Sequence, residues 1–318
     1  MAKITPQNYP RIDDVDNRYN GFLNEDALVP HKYKISEKEL KGLISSAIIN
    51  ANKKSSRQIL SLPPNSSENE LSQIYKKEGQ KLFSYFKKYV GDPAATAFQL
   101  HGKHYTDVGK EHFRNRTLQK ERMNSGWRYQ FLALDCAQQS KRFISVSDIG
   151  AAEGDFNAVI AFQESSKQPL SLYVSVKNRT NTMGGQDWPK AIQALENYAI
   201  NDKNRKGSYC CIFGIAMDRG VRLIKNEKRT GRPHSFNTEV WLSDFFWPFF
   251  ANHGYEEIMR AVLAVLIYEY TPEMLASQIE IPNELLESFG ASCKKAKLID
   301  ENGCFHDPYR LVEFFCQK

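Results

Sequence analysis

None of the six cysteines of this chain stands in a CxxC pair. That excludes the common zinc-ribbon and dithiol redox motifs. Cys136 and the adjacent Cys210 and Cys211 fall inside apolar segments, so buried free thiols in a reducing compartment are expected. His101 and His104 have HxxH spacing but no cysteine or glutamate at ligand spacing, and a capping or surface role is expected for them. Long hydrophobic runs are missing as well. The longest, AVLAVLIY from Ala261 to Tyr268, is far shorter than a membrane helix requires. The opening residues, MAKITPQNYPRIDD, lack the apolar stretch of a signal peptide, and a cytoplasmic protein with no membrane partner is expected. No GxxxxGK[ST] occurs, which argues against a P-loop ATPase.

What the chain does have is concentrated positive charge. Its net charge is +6, yet residues 203–232 hold nine Lys/Arg against two acids. A second basic segment, residues 101–130, holds seven against three. Such concentration suggests a polyanion partner, because each neutralised phosphate releases counterions. A solvated basic face is the alternative.

The first 35 residues are polar and read as an extended arm with little core. Ser36 with Glu39, and Ser67 with Glu70, have capping-box spacing and open two helical patterns. A further helix is expected over Thr117–Ser140. The period then changes: KRFISVSDIG and DFNAVIAFQ are short strand-like runs joined by a turn, LSLYVSVK is a third, and DWPKAIQALENYA has helical spacing. YCCIFGIAM and VRLIK read as two more strands. The expected fold is α/β, a central mixed sheet flanked by helices, with a helical N-terminal region and a C-terminal helical extension. Three consecutive regions are expected: 1–115, 116–238 and 239–318. The aromatic cluster from Trp241 to Phe250 is expected in the core or a subunit contact rather than as a base-stacking platform.

Asp155 begins one strand and Lys177 ends the next. Adjacent strands can bring those two ends together. A carboxylate beside a lysine suits phosphodiester cleavage: with a second acid the carboxylate holds Mg²⁺, and the lysine orients or deprotonates the nucleophile or offsets transition-state charge.

This order resembles the PD-(D/E)XK nuclease superfamily, which includes most type II restriction endonucleases. The resemblance spans roughly residues 117–225: a helix with Glu121, a hairpin carrying Asp155, a strand ending at Lys177, then a helix from Asp187. The family usually has an acid two residues before the lysine, and here that position is Ser175. One subgroup also has serine there and recruits a glutamate from the following helix, which implies Glu196. Gln193, Glu153 and Glu121 are further candidates. The resemblance implies a Mg²⁺-dependent, site-specific endonuclease acting on double-stranded DNA as a homodimer, with Asp155, Lys177, Glu196, Glu121 and Ser175 in the active site and Asp155, Glu196 and Glu153 as metal ligands. Arg179, Asn181 and Gln186, in the loop after the lysine, could contact bases or phosphates, as could Lys228, Arg229 and Arg232 in a basic, turn-rich stretch. Two other readings stay open: a non-catalytic nucleic-acid-binding protein on a degenerate nuclease core, and a structure-specific repair nuclease.

Overall fold

A computed structural model describes residues 18–19, 21–55, 66–88, 90–184, 187–269 and 281–317, with backbone alone at 18–19, 55, 120–124 and 269. The chain divides into two compact units, each assembled from two segments: residues 1–52 with 124–269, and residues 53–123 with 270–318. This differs from the three consecutive regions expected from sequence, because segments distant in the chain share a core.

The second unit is helical. It holds α2 (Glu68–Lys88), α3 (Pro93–Leu100), the first part of α4 (Tyr105–Gln139), α8 (Asn283–Lys295) and α9 (Pro308–Cys316). Phe86, Phe289, Phe305 and Phe315 are buried together in its core. Gly79 on α2 lies so close to α8 that a Cβ there would collide with the Leu285 carbonyl oxygen. The α4 helix starts twelve residues earlier than the Thr117 expected from its apolar pattern. His104 explains the start: its Nδ1 takes the Thr106 N–H at 3.3 Å, a capping role. The Ser67–Glu70 box at the head of α2 forms, with the Ser67 N–H donating to Glu70 Oε2 at 2.8 Å.

The first unit is built on a six-stranded sheet. In chain order its elements are the short pair β1 (Arg18–Tyr19) and β2 (Phe22–Leu23), α1 (Glu37–Ser55), the rest of α4, β3 (Ser145–Asp148), β4 (Phe156–Ile160), β5 (Leu170–Lys177), α5 (Asp187–Asn201), β6 (Tyr209–Ile215), β7 (Arg222–Leu223), β8 (Thr238–Trp241), α6 (Ser243–Ala251) and α7 (Tyr255–Glu269). The sheet order is β3-β4-β5-β6-β8-β7. The first three strands form an antiparallel meander, β5, β6 and β8 run parallel, and β7 returns antiparallel to β8. This is the mixed α/β sheet flanked by helices that the period changes predict. Strand β8 lies outside that expectation: TEVW is short, and the expected core boundary at 238 cuts through it.

One face of the sheet is covered by α5, whose Trp188, Ile192, Leu195 and Ala199 pack on Tyr173, Phe213 and Ile215. That stripe has the spacing read from the sequence. The other face receives α6. A Cβ on Gly214 would run into the Phe246 ring, and Phe250 meets Phe156 edge-on at 5.3 Å. Trp241, Phe246, Trp247, Phe249 and Phe250 are buried, so the aromatic cluster is core. Cys136, Cys210 and Cys211 are buried thiols, as expected.

The N-terminal segment departs from its polar composition. Leu23, Leu28 and Ile35 are buried, and the described residues 21–35 are bound into the core rather than extended from it. Buried Glu239 accepts the Leu23 N–H at 2.5 Å and the Trp241 indole N–H at 2.8 Å. Buried Arg142 donates to the Val29 and Phe249 carbonyls and to Glu25, and stacks on the Phe249 ring. His31 Nε2 lies 3.0 Å from the Pro248 carbonyl oxygen and 3.2 Å from Arg142 Nη1. Ser36 and Glu39 form the capping box of α1, with the Ser36 N–H donating to Glu39 Oε2 at 2.9 Å.

Burial, and then the charge of Arg142, hold the His31 pKa down at about 4 against an ordinary 6.5. The folded chain thus binds fewer protons than the unfolded chain between those values. Its stability is fully present above pH 6.5 and falls as the pH drops toward 4. Urea denaturation at pH 7.5 and pH 4.5 should show a smaller loss in His31→Asn than in the wild type. Equal losses would remove His31 as the cause.

Candidate functional site

The fold places Asp155 and Lys177 at one end of neighbouring strands. In β5 every residue from Leu170 to Val176 is buried, and the half-buried Lys177 is its last residue. The β4–β5 register ends with Phe156 opposite Val174, so one further step sets Asp155 opposite Ser175. Lys177 lies two residues beyond, the diagonal neighbour at about 7–8 Å on the same face. Tyr173, Ser175 and Lys177 share that face, the one α5 covers. Asp155 is held from three directions. Its N–H donates to the Val174 carbonyl at 2.8 Å and its own carbonyl accepts the Ile149 N–H at 3.1 Å. Its Oδ2 accepts the Val176 N–H at 2.6 Å. The carboxylate thus also completes the hydrogen bonding of β5 where β4 has ended.

The expected metal ligands are not brought together. Among the described residues no three His, Cys, Asp or Glu side chains converge on a point that could hold a metal ion. Ser175 is buried and neutral. Glu153 is exposed in the β3–β4 turn. Asp148 is spent on that turn, its Oδ1 accepting the Gly150 N–H at 2.8 Å. Glu121 falls on α4 with its side chain outside the described residues. A Mg²⁺ centre needs more than one anionic oxygen. Of the expected ligands, Asp155 is the one whose carboxylate is bonded to the end of β5.

Glu196 requires a correction. The α5 helix runs down the sheet from the Lys177 end, and Glu196 lies nine residues below its start, about 13 Å along the axis. The strands agree. Glu196 is fully buried and its Oε1 accepts from the hydroxyls of Ser235 and, at 2.6 Å, Thr238. Thr238 pairs with Cys211, and Cys211 pairs with Tyr173. Tyr173 is four residues before Lys177, again about 13 Å. Glu196 therefore fastens the start of β8 to α5, and its partner Thr238 lies three strands across the sheet from Asp155, about 14 Å at the usual strand spacing, too far to share a metal. Gln193 is exposed on the same helix.

No protein-family model matches the chain, and no curated protein matches it in sequence.

The basic stretch 203–232 is not one patch. Lys203, Arg205 and Lys206 lie in the α5–β6 connection, at the opposite end of the seven-residue β6 from the Lys177 pairing level. Arg205 is engaged with the Ala199 carbonyl and the Tyr209 ring. Arg222 is taken up by the Leu23 carbonyl and the rings of Phe22 and Phe245. Lys228, Arg229 and Arg232 remain exposed on a small hairpin closed by the Asn226–Pro233 bridge, with the Glu227 N–H donating to the Arg232 carbonyl at 2.8 Å. Lys225 at its base lies 4.5 Å over the ring of Trp188, in the first turn of α5. Arg179 and Asn181 are exposed in the loop that follows Lys177, while Gln186 is outside the described residues.

Sequence reasoning misses Asp218. Its Oδ2 accepts both the N–H and the hydroxyl of Thr180, each at 2.7 Å, and Arg179 Nη1 lies 3.7 Å from its Oδ1. No local motif marks it. The usable signal is its place just past the carboxyl end of β6, where open α/β sheets gather their sites.

Glu196→Ala strands two buried hydroxyls and should destabilise the chain by about 1–3 kcal/mol, whereas Glu196→Gln keeps an acceptor and should cost less. Mg²⁺ titration by calorimetry should not distinguish Glu196→Gln from wild type. A lost metal affinity in that variant would restore it as a ligand.

Proposed function

We propose that the chain is a type II endonuclease that hydrolyses phosphodiester bonds of double-stranded DNA at a specific short site, acting as a homodimer. One observation carries this reading: Asp155 and Lys177 stand at the ends of neighbouring strands, within a helix, three-strand meander, crossover helix and parallel strand in that order. This is the order that the resemblance to PD-(D/E)XK nucleases implies. The exposed hairpin cations support a polyanionic substrate.

In this reading the Lys177 ammonium faces the scissile phosphate and offsets the charge that builds on its oxygens as water attacks phosphorus and the bond to the leaving oxygen breaks. The half-buried position strengthens that effect relative to bulk water. Asp155 holds the attacking side in place through its fixed carboxylate, and Val176 N–H fixes the carboxylate in turn. Mg²⁺ is the cofactor expected for such an enzyme. The described acids do not form its site by themselves, so dependence on the metal is put to the assay.

A second reading is favoured by the neutral Ser175 and the displaced Glu196: a DNA-binding protein on this core that does not cut. Purified chain should be incubated with supercoiled plasmid and phage DNA in Mg²⁺ or in EDTA. Discrete bands in Mg²⁺ are expected. Asp155→Asn, which retains an acceptor for Val176, and Lys177→Ala should each lower the rate by roughly 100-fold or more with the fold intact by circular dichroism. Bound but uncut DNA supports the second reading, and absence of both binding and cleavage overturns both.

The hairpin gives a separate test. Replacing Lys228, Arg229 and Arg232 together by glutamine should weaken binding to every duplex and reduce the salt dependence by about one unit of slope per lost phosphate contact. An unchanged slope would take the hairpin out of the interface.

A further inference from the structure

The loop after Lys177 is built more firmly than a solvent-exposed connection needs to be. The β5–β6 ladder continues past both strands, with the Ala216 N–H donating to the Lys177 carbonyl at 2.8 Å and the Met217 N–H to the Asn178 carbonyl at 3.0 Å. The next residue of the β6 side, Asp218, then uses its carboxylate in place of a backbone partner and takes both donors of Thr180. Asp218 is itself anchored: its carbonyl accepts the N–H of Ser243 at 3.0 Å and the Ser243 hydroxyl at 2.7 Å, at the head of α6. On the other side of the clamp, Thr182 bonds back to the Arg179 carbonyl through its N–H and its hydroxyl.

The residue this arrangement holds is Arg179. Its backbone is extended, with φ −141° and ψ 159°, and it follows a bend at Asn178. Arg179 thus stands two residues beyond Lys177, just past the end of β5. The Arg179 side chain is 60 % exposed, and its 3.7 Å contact with Asp218 is long, hence weak. A phosphate offers the planar fork two acceptors in better geometry.

We propose that Arg179 is a phosphate clamp beside Lys177 and that Asp218, through Thr180, is the residue that positions it. The ligand is the phosphodiester backbone of duplex DNA, so the inference rests on the DNA reading above, though not on cleavage. Asp218 lowers the mobility of the loop before DNA arrives, so less ordering is required on binding.

The two charges make the test discriminating. If Asp218 acted only through its charge, removing that charge would strengthen attraction to a polyanion. A positioning role demands the opposite. Binding of a labelled duplex should be followed by anisotropy in EDTA over a salt series, for wild type, Arg179→Ala, Thr180→Val, Asp218→Asn and the double variant that joins Arg179→Ala with Asp218→Asn. Arg179→Ala should weaken binding roughly tenfold and lower the salt slope by about 1. Asp218→Asn and Thr180→Val should also weaken it, and Asp218→Asn should add nothing once Arg179 is gone. Tighter or unchanged binding in Asp218→Asn overturns the proposal. So does an equal loss from Asp218→Asn whether or not the Arg179 guanidinium is present, which would mark general damage. The hairpin triple variant separates the two readings. If it weakens binding while Arg179→Ala does not, the DNA reading stands and the clamp falls. If wild type does not bind duplex at all, both fall.

Discussion

Strand β5 is buried on both faces from Leu170 to Val176, and this burial governs where charge can appear in the first unit. An ionised side chain inside the strand would lose its hydration with nothing comparable in return. Apart from the Tyr173 hydroxyl, which donates to Asp202, the strand carries only serines as polar side chains, and Ser171 is satisfied by the Lys206 carbonyl. Lys177 is the first position at which an ammonium can reach water while its stem stays in the sheet. Neighbouring β6 is buried throughout and obeys the same restriction, releasing Asp218 three residues past its end. Lys177 and Asp218 thus emerge at one end of the sheet, and Lys203, Arg205 and Lys206 at the other.

The acids that do enter the core behave differently from those at the edge. Glu196 and Glu239 are each fully buried, and each is surrounded by donors from segments remote in sequence. Glu196 gathers hydroxyls from the approach to β8, and Glu239 gathers the N-terminal segment and an indole. Both act as fasteners whose position depends on staying where they are. Asp155 is half-buried, and one of its oxygens stabilises the end of the strand that closes with Lys177. Burial depth therefore separates the carboxylates that fasten the core from Asp155, which stays partly open to solvent, a distinction that side-chain identity does not make.

Much of the local structure was legible. Two capping boxes, the α5 stripe, the meander and the strand ending at Lys177 follow from residue periods of 3.6 and 2 and from side chains that reach only a few positions along the chain. That Asp155 and Lys177 stand at neighbouring strand ends was legible for the same reason, since a short hairpin leaves little freedom in how its strands align. The level of Glu196 was not. The identity of a helix says nothing of how far down the sheet its tenth residue falls, and a crossover helix runs opposite to the strand before it. The basic stretch was misleading in a similar way, because the seven-residue β6 and then β7 lie inside it and separate Lys203, Arg205 and Lys206 from the hairpin cations.

Local patterns in the sequence set most of the helices and strands, β8 and the first turns of α4 excepted, and the two strand ends that carry a carboxylate and a lysine. These depend on interactions within a turn or across one hairpin. Long-range packing set the rest: the polar N-terminal segment is bound to a buried glutamate, two units each join distant pieces of chain, and Asp218 closes on Thr180. Those contacts link residues tens to hundreds of positions apart, and their geometry exists only after the sheet has set the spacing of the strands and the direction of the helices.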